Sequence, residues 1–437
     1  MSDHSQSQSP SPPAAAADPG VAAAPPTFAA FIGIDWADQE HAVCVLDGER
    51  VRREKLPHTP EAIAAWVAGL EREFVGRPVA VMLEQSHGGL AHALMQFPQL
   101  VLFPINPRQA ARYREALAHS GKKDDPTDAE CLARFVREHH RSLRAWRPND
   151  EPTRQLGRLV ELRRKTVELR KQTVQQLTSV LKLYFPLALE IAGELSQPLA
   201  RDLLRRWPTL RDLQRANPAT LRKFFRQHGR RNEEKTDELI AQIRAAKPLT
   251  DDRAIIAPNA LFVTMLRKQL PPLDEALQQF DAEIAKLFAA HPDAEIFGSP
   301  PGAGAALAPR LLVAFGSDRD RFASADEVQA YSGIAPITKR SGKTCHVQRR
   351  YACHKFLRQT FHEFADHARK WSRWSKAYYH HLRAHGHHHH AALRALAFKW
   401  IRILFRCWKD HQPYNEDRYI QQLKSKSVPY FANIQPT

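Results

Sequence analysis

Strand signals in this chain are confined to one stretch, and that confinement limits the possible folds more than any other feature. From Phe31, apolar segments of strand length alternate with helical periods. "FIGIDWA" reads as a buried strand. "HAVCVLD", a "GE" turn and "RVRREKL" read as a hairpin beside it. "TPEAIAAWVAGLERE" is a helix with Thr59 as N-cap and Pro60 in its first position. "PVAVMLEQS" and "LVLFPIN" are two more strands, each followed by a helix, "GLAHALMQF" and "PRQAARYREALAH". Three strands, helix, strand, helix, strand, helix is the order of an α/β domain with a mixed sheet, expected over residues 29–148. Residues 1–28, rich in Ser, Pro, Ala and Gln, cannot bury enough apolar surface to order themselves and predict a disordered tail.

From Thr153 the strand signals stop, and residues 149–290 read as helical. Val160, Val167, Val174 and Leu181 fall seven apart on one long basic helix, a column of a coiled-coil seam spoiled on its companion side by Arg163 and Arg170. Leu273, Leu277, Phe280, Ile284 and Leu287 form a cleaner stripe, able to pair with the first within a chain or between chains. Residues 291–412 make a third region, mostly helical. There "SPPGAGAALAPRLLVAFG" puts Gly302 and Gly304 ahead of a helix, as in a helix-hairpin-helix element whose backbone approaches a phosphate. "IAPITKRSGKTCHVQRRYACHK" reads as a basic loop, and residues 413–437 as a loose tail.

Charge narrows the function. The 437 residues hold 64 Lys and Arg against 47 Asp and Glu, a formal charge of +17, which suits a partner that is a polyanion. Nucleic acid is the first such partner. A membrane is disfavoured, because no apolar run approaches the roughly 20 residues a spanning helix needs. No signal peptide is expected, and five scattered cysteines suit reduced thiols in a cytoplasm.

Within the α/β stretch, acidic residues sit where they need a reason. Asp35 lies inside or at the end of the first apolar strand and Glu84 ends "VAVMLE"; a carboxylate there is costly unless it is paired or binds a cation. Asp125 and Asp128 flank Pro126 at a helix start, three apart and so on one face. Turn, ion-pair and helix-cap roles explain each acid singly, with Asp125 as the N-cap. Together, four carboxylates from three elements form an oxygen donor set of the kind that takes Mg²⁺ and cuts phosphodiesters. Farther on, Ser341 lies among Lys339, Arg340, Lys343, Arg349 and Arg350, where a phosphate backbone would be held. It is a turn residue, a phosphate contact or a nucleophile awaiting activation. Cys345–His346 and Cys353–His354 come as adjacent pairs, unlike the usual zinc spacing. The internal "HGHHHH" reads as a solvated loop before an amphipathic helix.

With these residues in place the chain resembles the DEDD transposases of bacterial insertion sequences. The likeness runs from about Phe31 to Lys409, carried by "FIGIDWAD", "VMLEQSHGG", "KKDDPTDAECLARF", "GSPPGAGAALAPRLLVAFGSDRDRF", "YSGIAPITKRSGK" and "HKFLRQTF". It implies an RNase H-like, RuvC-type N-terminal domain, a helical coiled-coil middle for dimerisation and RNA binding, and a C-terminal transposase domain. The family's four acids map onto Asp35, Glu84, Asp125 and Asp128, with Lys123 ahead of the helical pair and Asp124 a bystander. Its serine maps onto Ser341, where Arg340 stands in place of a second serine seen in many relatives.

The chemistry so implied is recombination of double-stranded donor and target DNA, guided by a structured noncoding bridge RNA. Mg²⁺ sits at the acids, and Ser341 is joined to a DNA 5′ end as a phosphoserine. A homodimer or homotetramer sharing composite sites, in the bacterial cytoplasm at the nucleoid, is part of the same expectation. Two other readings stand beside it: a Mg²⁺-dependent Holliday-junction-type nuclease that uses water, and an inactive nucleic-acid-binding relic.

Overall fold

A computed structural model describes residues 27–84, 88–117, 125–342, 344–351 and 353–434. The chain divides into two compact units, Met1–Pro148 and Asn149–Thr437.

The first unit follows the expected order: β1 (Phe31–Asp35), β2 (Glu40–Asp47), β3 (Arg50–Pro57), α1 (Pro60–Glu73), β4 (Val79–Leu83), α2 (Gly89–Leu94), β5 (Leu100–Pro104), α3 (Pro107–Leu117) and α4 (Asp125–His139). The sheet runs β3-β2-β1-β4-β5. β1 is antiparallel to β2 and parallel to β4, and β4 is parallel to β5. Side chains alternate between the faces of a strand, and both faces are apolar here. Ile32, Ile34, Val79, Val81 and Leu83 pack with Ile63, Val67 and Leu70 of α1. Ala80, Met82 and Phe103 pack on the other face with Leu132 and Val136 of α4. The outer strand β3 is guarded by charge, with Arg52 on Glu73 and Arg53 on Glu130.

The second unit is built on two long helices. α5 (Glu151–Tyr184) is capped by Asp150, whose carboxylate accepts the Thr153 N–H at 2.8 Å. Five short helices follow: α6 (Leu187–Ala192), α7 (Pro198–Arg206), α8 (Leu210–Arg215), α9 (Pro218–Gln227) and α10 (Glu233–Ala245). α11 (Arg253–Ala289) returns along α5 within the same chain. The two arginines that spoil the heptad column mark the pairing: Arg163 binds Asp281 at 2.5 Å and Arg170 binds Asp274 at 2.6 Å, so the helices are antiparallel. Val160 and Leu181 are buried, while Val167 stays 36% exposed beside those charges.

Two cores flank this helix pair. One collects Leu177, Leu181 and Tyr184 of α5, Val263, Leu266 and Leu270 of α11, and the apolar faces of α6–α10. The other collects Leu156, Val160 and Ile284 with the C-terminal helices α12 (Ala294–Gly298), α13 (Gly304–Phe315), α14 (Ala325–Tyr331), α15 (Lys355–Trp371), α16 (Arg373–Ala384) and α17 (His389–Lys409). Trp374, Trp400 and Trp408 lie fully inside it, and each indole N–H donates, to Tyr414 Oη, Ser375 Oγ and the Gly316 carbonyl.

Three expectations are corrected. Ile337–Ser341 (β6) and Thr344–Gln348 (β7) form an antiparallel hairpin where a loop was expected; the strands are exposed on both faces, so no burial alternation marks them. The segment after residue 412 is not a loose tail: α18 (Glu416–Ser425) is capped by Asn415, and Leu423 and Tyr430 are buried. α17 begins at His389, so two histidines of the run form its first turn, and His389 Nδ1 lies 2.8 Å from Tyr379 Oη. Among the described residues no helix is long and apolar enough to cross a membrane.

Candidate active site

The register of β1 against β4 places the first two acids. Ile34 pairs with Leu83, so Asp35 and Glu84, the next residues, leave the carboxyl ends of neighbouring parallel strands side by side. Alternation puts them on one face: Asp35 is two residues beyond Gly33, and Glu84 two beyond Met82, both turned toward α4. α4 is seated there because Gly33 has no side chain. A Cβ at Gly33 would lie 2.0 Å from the Ala129 carbonyl oxygen and 2.4 Å from the Ala133 nitrogen. Asp128 immediately precedes that contact, so the first turn of α4 is carried to the same end of the sheet.

Asp125 lies within α4, which is described from this residue on, and Asp128 shares its turn. Asp128 is 12% exposed at its side chain. Its Oδ2 accepts from Arg114 Nη1 of α3 at 2.8 Å, while its buried Oδ1 has no hydrogen-bond partner. Hydrogen bonding to Asp128 raises the Arg114 pKa, with a further contribution from the charge of Glu84. Glu84, Arg114 and Asp128 line one small depression with Tyr113 and Cys131. Tyr113 fastens α3 to α4 by donating to Glu138 at 2.6 Å.

The donor chemistry fits a hard divalent cation: every acid offers carboxylate oxygen, and one buried oxygen of Asp128 lacks a partner. In the arrangement described, no three His, Cys, Asp or Glu side chains among the described residues stand close enough together to hold a metal ion. A guanidinium supplies positive charge at Asp128 instead.

In the second unit Ser341 is the last residue of β6, exposed, and paired across the hairpin with Thr344. Lys339 and Arg340 precede it on the same exposed strand, and Gly342 turns the chain at φ 54°. Arg350 is tied down: its Nε donates to the Ala335 carbonyl at 3.3 Å, at the base of the hairpin. Arg349 stacks on Tyr351 at 5.9 Å. Lys123, Asp124 and Lys343 lie outside the described residues.

Both glycines expected ahead of the helix take positive φ, 85° at Gly302 before α13 and 53° at Gly304, which is the first residue of α13. What Gly302 admits is protein: a Cβ would meet the His367 and Ala368 backbone of α15 at 2.9 Å. Around Gly304 there is open space.

Sequence comparison bears on all of these residues. Residues 32–186 match the DEDD transposase family typified by IS110, and residues 294–380 match a second transposase family described as IS116/IS110/IS902. A Streptomyces coelicolor protein named "Mini-circle putative transposase for IS117" is 32% identical over 405 residues, covering 89% of this chain and 96% of that one. The chain belongs to the IS110 family of transposases. The 43.6 kDa protein of insertion element IS110 from the same species is 27% identical over 87% of the transposase and 94% of its own length. The 42 kDa protein of IS900 from Mycobacterium paratuberculosis is 26% identical over 88% and 97%. The first match begins at Ile32 and takes in Asp35, Glu84, Asp125 and Asp128; the second takes in Gly302, Gly304 and Ser341.

Gly33 and Arg114 were missed from the sequence. Gly33 carried a signal, since glycine inside an apolar strand marks a close backbone approach. Arg114 carried none: it is one of several basic residues on α3, and its bond to Asp128 spans two helices.

Proposed function

We propose that this insertion-sequence transposase is an RNA-guided DNA recombinase that holds Mg²⁺ at Asp35, Glu84, Asp125 and Asp128 and attacks DNA with Ser341. The observation that carries the reading is the convergence at one end of the sheet, where Asp35, Glu84 and the first turn of α4 share a face. When bound there, Mg²⁺ would neutralise the phosphate and stabilise the developing oxyanion charge.

Ser341 Oγ loses its proton and forms a bond to the scissile phosphorus, the P–O3′ bond breaks, and the 3′ oxygen takes up the proton the serine gives up and leaves as a hydroxyl. The DNA 5′ end is then held as a phosphoserine until a 3′-OH attacks it in the exchanged strand. Lys339 and Arg340, exposed on the same strand, hold the phosphates beside Ser341, with Lys343 and Lys123 as further contacts. The net charge of +17 suits a chain that binds donor DNA, target DNA and a structured guide RNA together. A homodimer or homotetramer working at the nucleoid completes the proposal.

The test is covalent trapping of the full chain on nicked donor DNA with guide RNA and Mg²⁺. Ser341→Ala should abolish the protein–DNA adduct, and trapping that survives the change removes the serine from the reaction. All four acids belong to the first unit, which favours one second reading, a Mg²⁺-dependent junction nuclease attacking with water. Cleavage retained by Ser341→Ala and lost by Asp125→Asn would decide for it.

A further inference from the structure

Between Glu327 and Asp410 the chain carries two carboxylates, Glu363 and Asp366, and both are engaged. Glu363 binds Arg310 and Gln359, and Asp366 binds Arg369 and Lys370. A set of cations on the same elements therefore lacks acidic partners. α15 and α17 lie against each other in the C-terminal core. Arg358 and His362 are one turn apart on α15, and His390 and Arg394 one turn apart on α17. Arg349 enters from the hairpin, directly after β7.

The other four groups lie within electrostatic reach of His362. His362 is pushed down to about 4 by burial first, then by the charges of Arg394, Arg349, Arg358 and His390. No carboxylate among the described residues ion-pairs with Arg349, Arg358 or Arg394. Arg358 donates to the Arg350 carbonyl and to Cys353 Sγ, which fixes its position without neutralising it. The guanidinium charges of Arg349, Arg358 and Arg394 gathered this way repel, with His362 held neutral among them as a hydrogen-bond donor, and the arrangement gains free energy when a polyanion enters.

We propose that Arg349, Arg358, His362, His390 and Arg394 form a phosphate clamp for the backbone of the DNA strand being processed, at the base of the hairpin that carries Ser341. The clamp rests on the reading that this chain processes DNA at Ser341. The five-residue strand β7 separates Arg349 from the turn beside Ser341, about 17 Å at 3.4 Å per residue. One DNA strand spaces its phosphates by about 3.4 Å along the helix axis, so the clamp would grip roughly five nucleotides from the scissile phosphate. Arginine suits the task because its planar fork matches phosphate oxygens.

The test uses the full chain and a short DNA duplex, with affinity measured across salt concentrations. Arg349 and Arg394 donate no hydrogen bond within the protein among the described residues, so Arg349→Gln/Arg394→Gln should fold with an unchanged melting temperature. Losing two phosphate contacts should flatten the slope of log affinity against log salt by about 2 and weaken binding at least tenfold near 0.15 M salt. Arg349→Lys/Arg394→Lys should keep most of the slope. A wild-type slope in the Gln variant overturns the clamp. So does a slope lost for a guide RNA and kept for DNA, because the patch would then serve RNA. Trapping by Ser341 is scored separately. A flattened DNA slope with no Ser341-dependent adduct keeps the clamp and sinks the nucleophile, and an adduct with an unaltered slope does the reverse.

Discussion

Gly33 of β1 and Ala129 of α4 meet backbone to backbone, with room for nothing between them: a Cβ on Gly33 would sit 2.0 Å from the Ala129 carbonyl oxygen. Asp35 lies two residues after one partner and Asp128 one residue before the other, so this contact sets how near the acids come. Gly33→Ala should push α4 off the sheet. Overpacking typically costs about 1–3 kcal/mol, and a clash with backbone on both sides should reach or exceed the top of that range. Gly69→Ala is the control: Gly69 is inside α1 with open space around it, and alanine there should stabilise by roughly 0.5–1 kcal/mol. Thermal unfolding of the two variants should move in opposite directions.

Arg114 and a metal ion would compete for the Asp128 carboxylate. Arg114→Gln should therefore lower the melting temperature without metal and tighten Mn²⁺ binding by about tenfold, equivalent to ~1.4 kcal/mol. Titration calorimetry, with Asp125→Asn as a variant that should bind more weakly, reads the effect directly. Equal Mn²⁺ affinity in wild type and Arg114→Gln would mean that the guanidinium does not occupy the metal's place.

The neighbouring aspartates should behave differently. Asp125 is inside the first turn of α4 with Asp128. Asp125→Asn is expected to abolish DNA cleavage, whereas Asp124→Asn should leave at least half of it. The reverse result, in a gel assay with Mg²⁺, would show that the acids are assigned one residue out of register.

His362 gives the fold an acid-sensitive point. Its pKa is lowered to about 4 from 6.5, so the unfolded chain takes up a proton there that the folded chain refuses. Stability is fully present above pH 6.5 and falls as pH drops toward 4, by up to about 3 kcal/mol from this group. Denaturant unfolding between pH 7 and pH 4.5 should show the loss, and His362→Gln should shrink it.

Much of the first unit could be read from the chain, because buried strands appear as short apolar runs and caps punctuate helices. The alternation of side chains along a strand would have put Asp35 and Glu84 on one face, given the parallel pairing of β1 with β4. Other features had no periodic signature. The β6–β7 hairpin is short and exposed on both faces, and the apolar Cys345 and Val347 of β7 are too few to stand out in a basic segment. α18 buries chiefly Leu423, too little apolar surface to stand out in a polar segment. Arg163 and Arg170 looked like flaws in a seam, yet Asp281 and Asp274 await them on α11. An ion pair between distant helices is invisible to any local rule.

The antiparallel pair α5–α11 also works as a measuring rod. Its contacts with one core end near Val160, and those with the other begin near Leu177, a separation of about 25 Å at 1.5 Å per residue. Neither core reaches across that interval, so the span between them is a length written in residues. Removing one heptad from each helix would shorten it by about 10 Å while nearly preserving which faces meet. The reach of the outlying helices is thus separable from their fold, and whatever they grip could be brought nearer or held farther off by editing the rod alone.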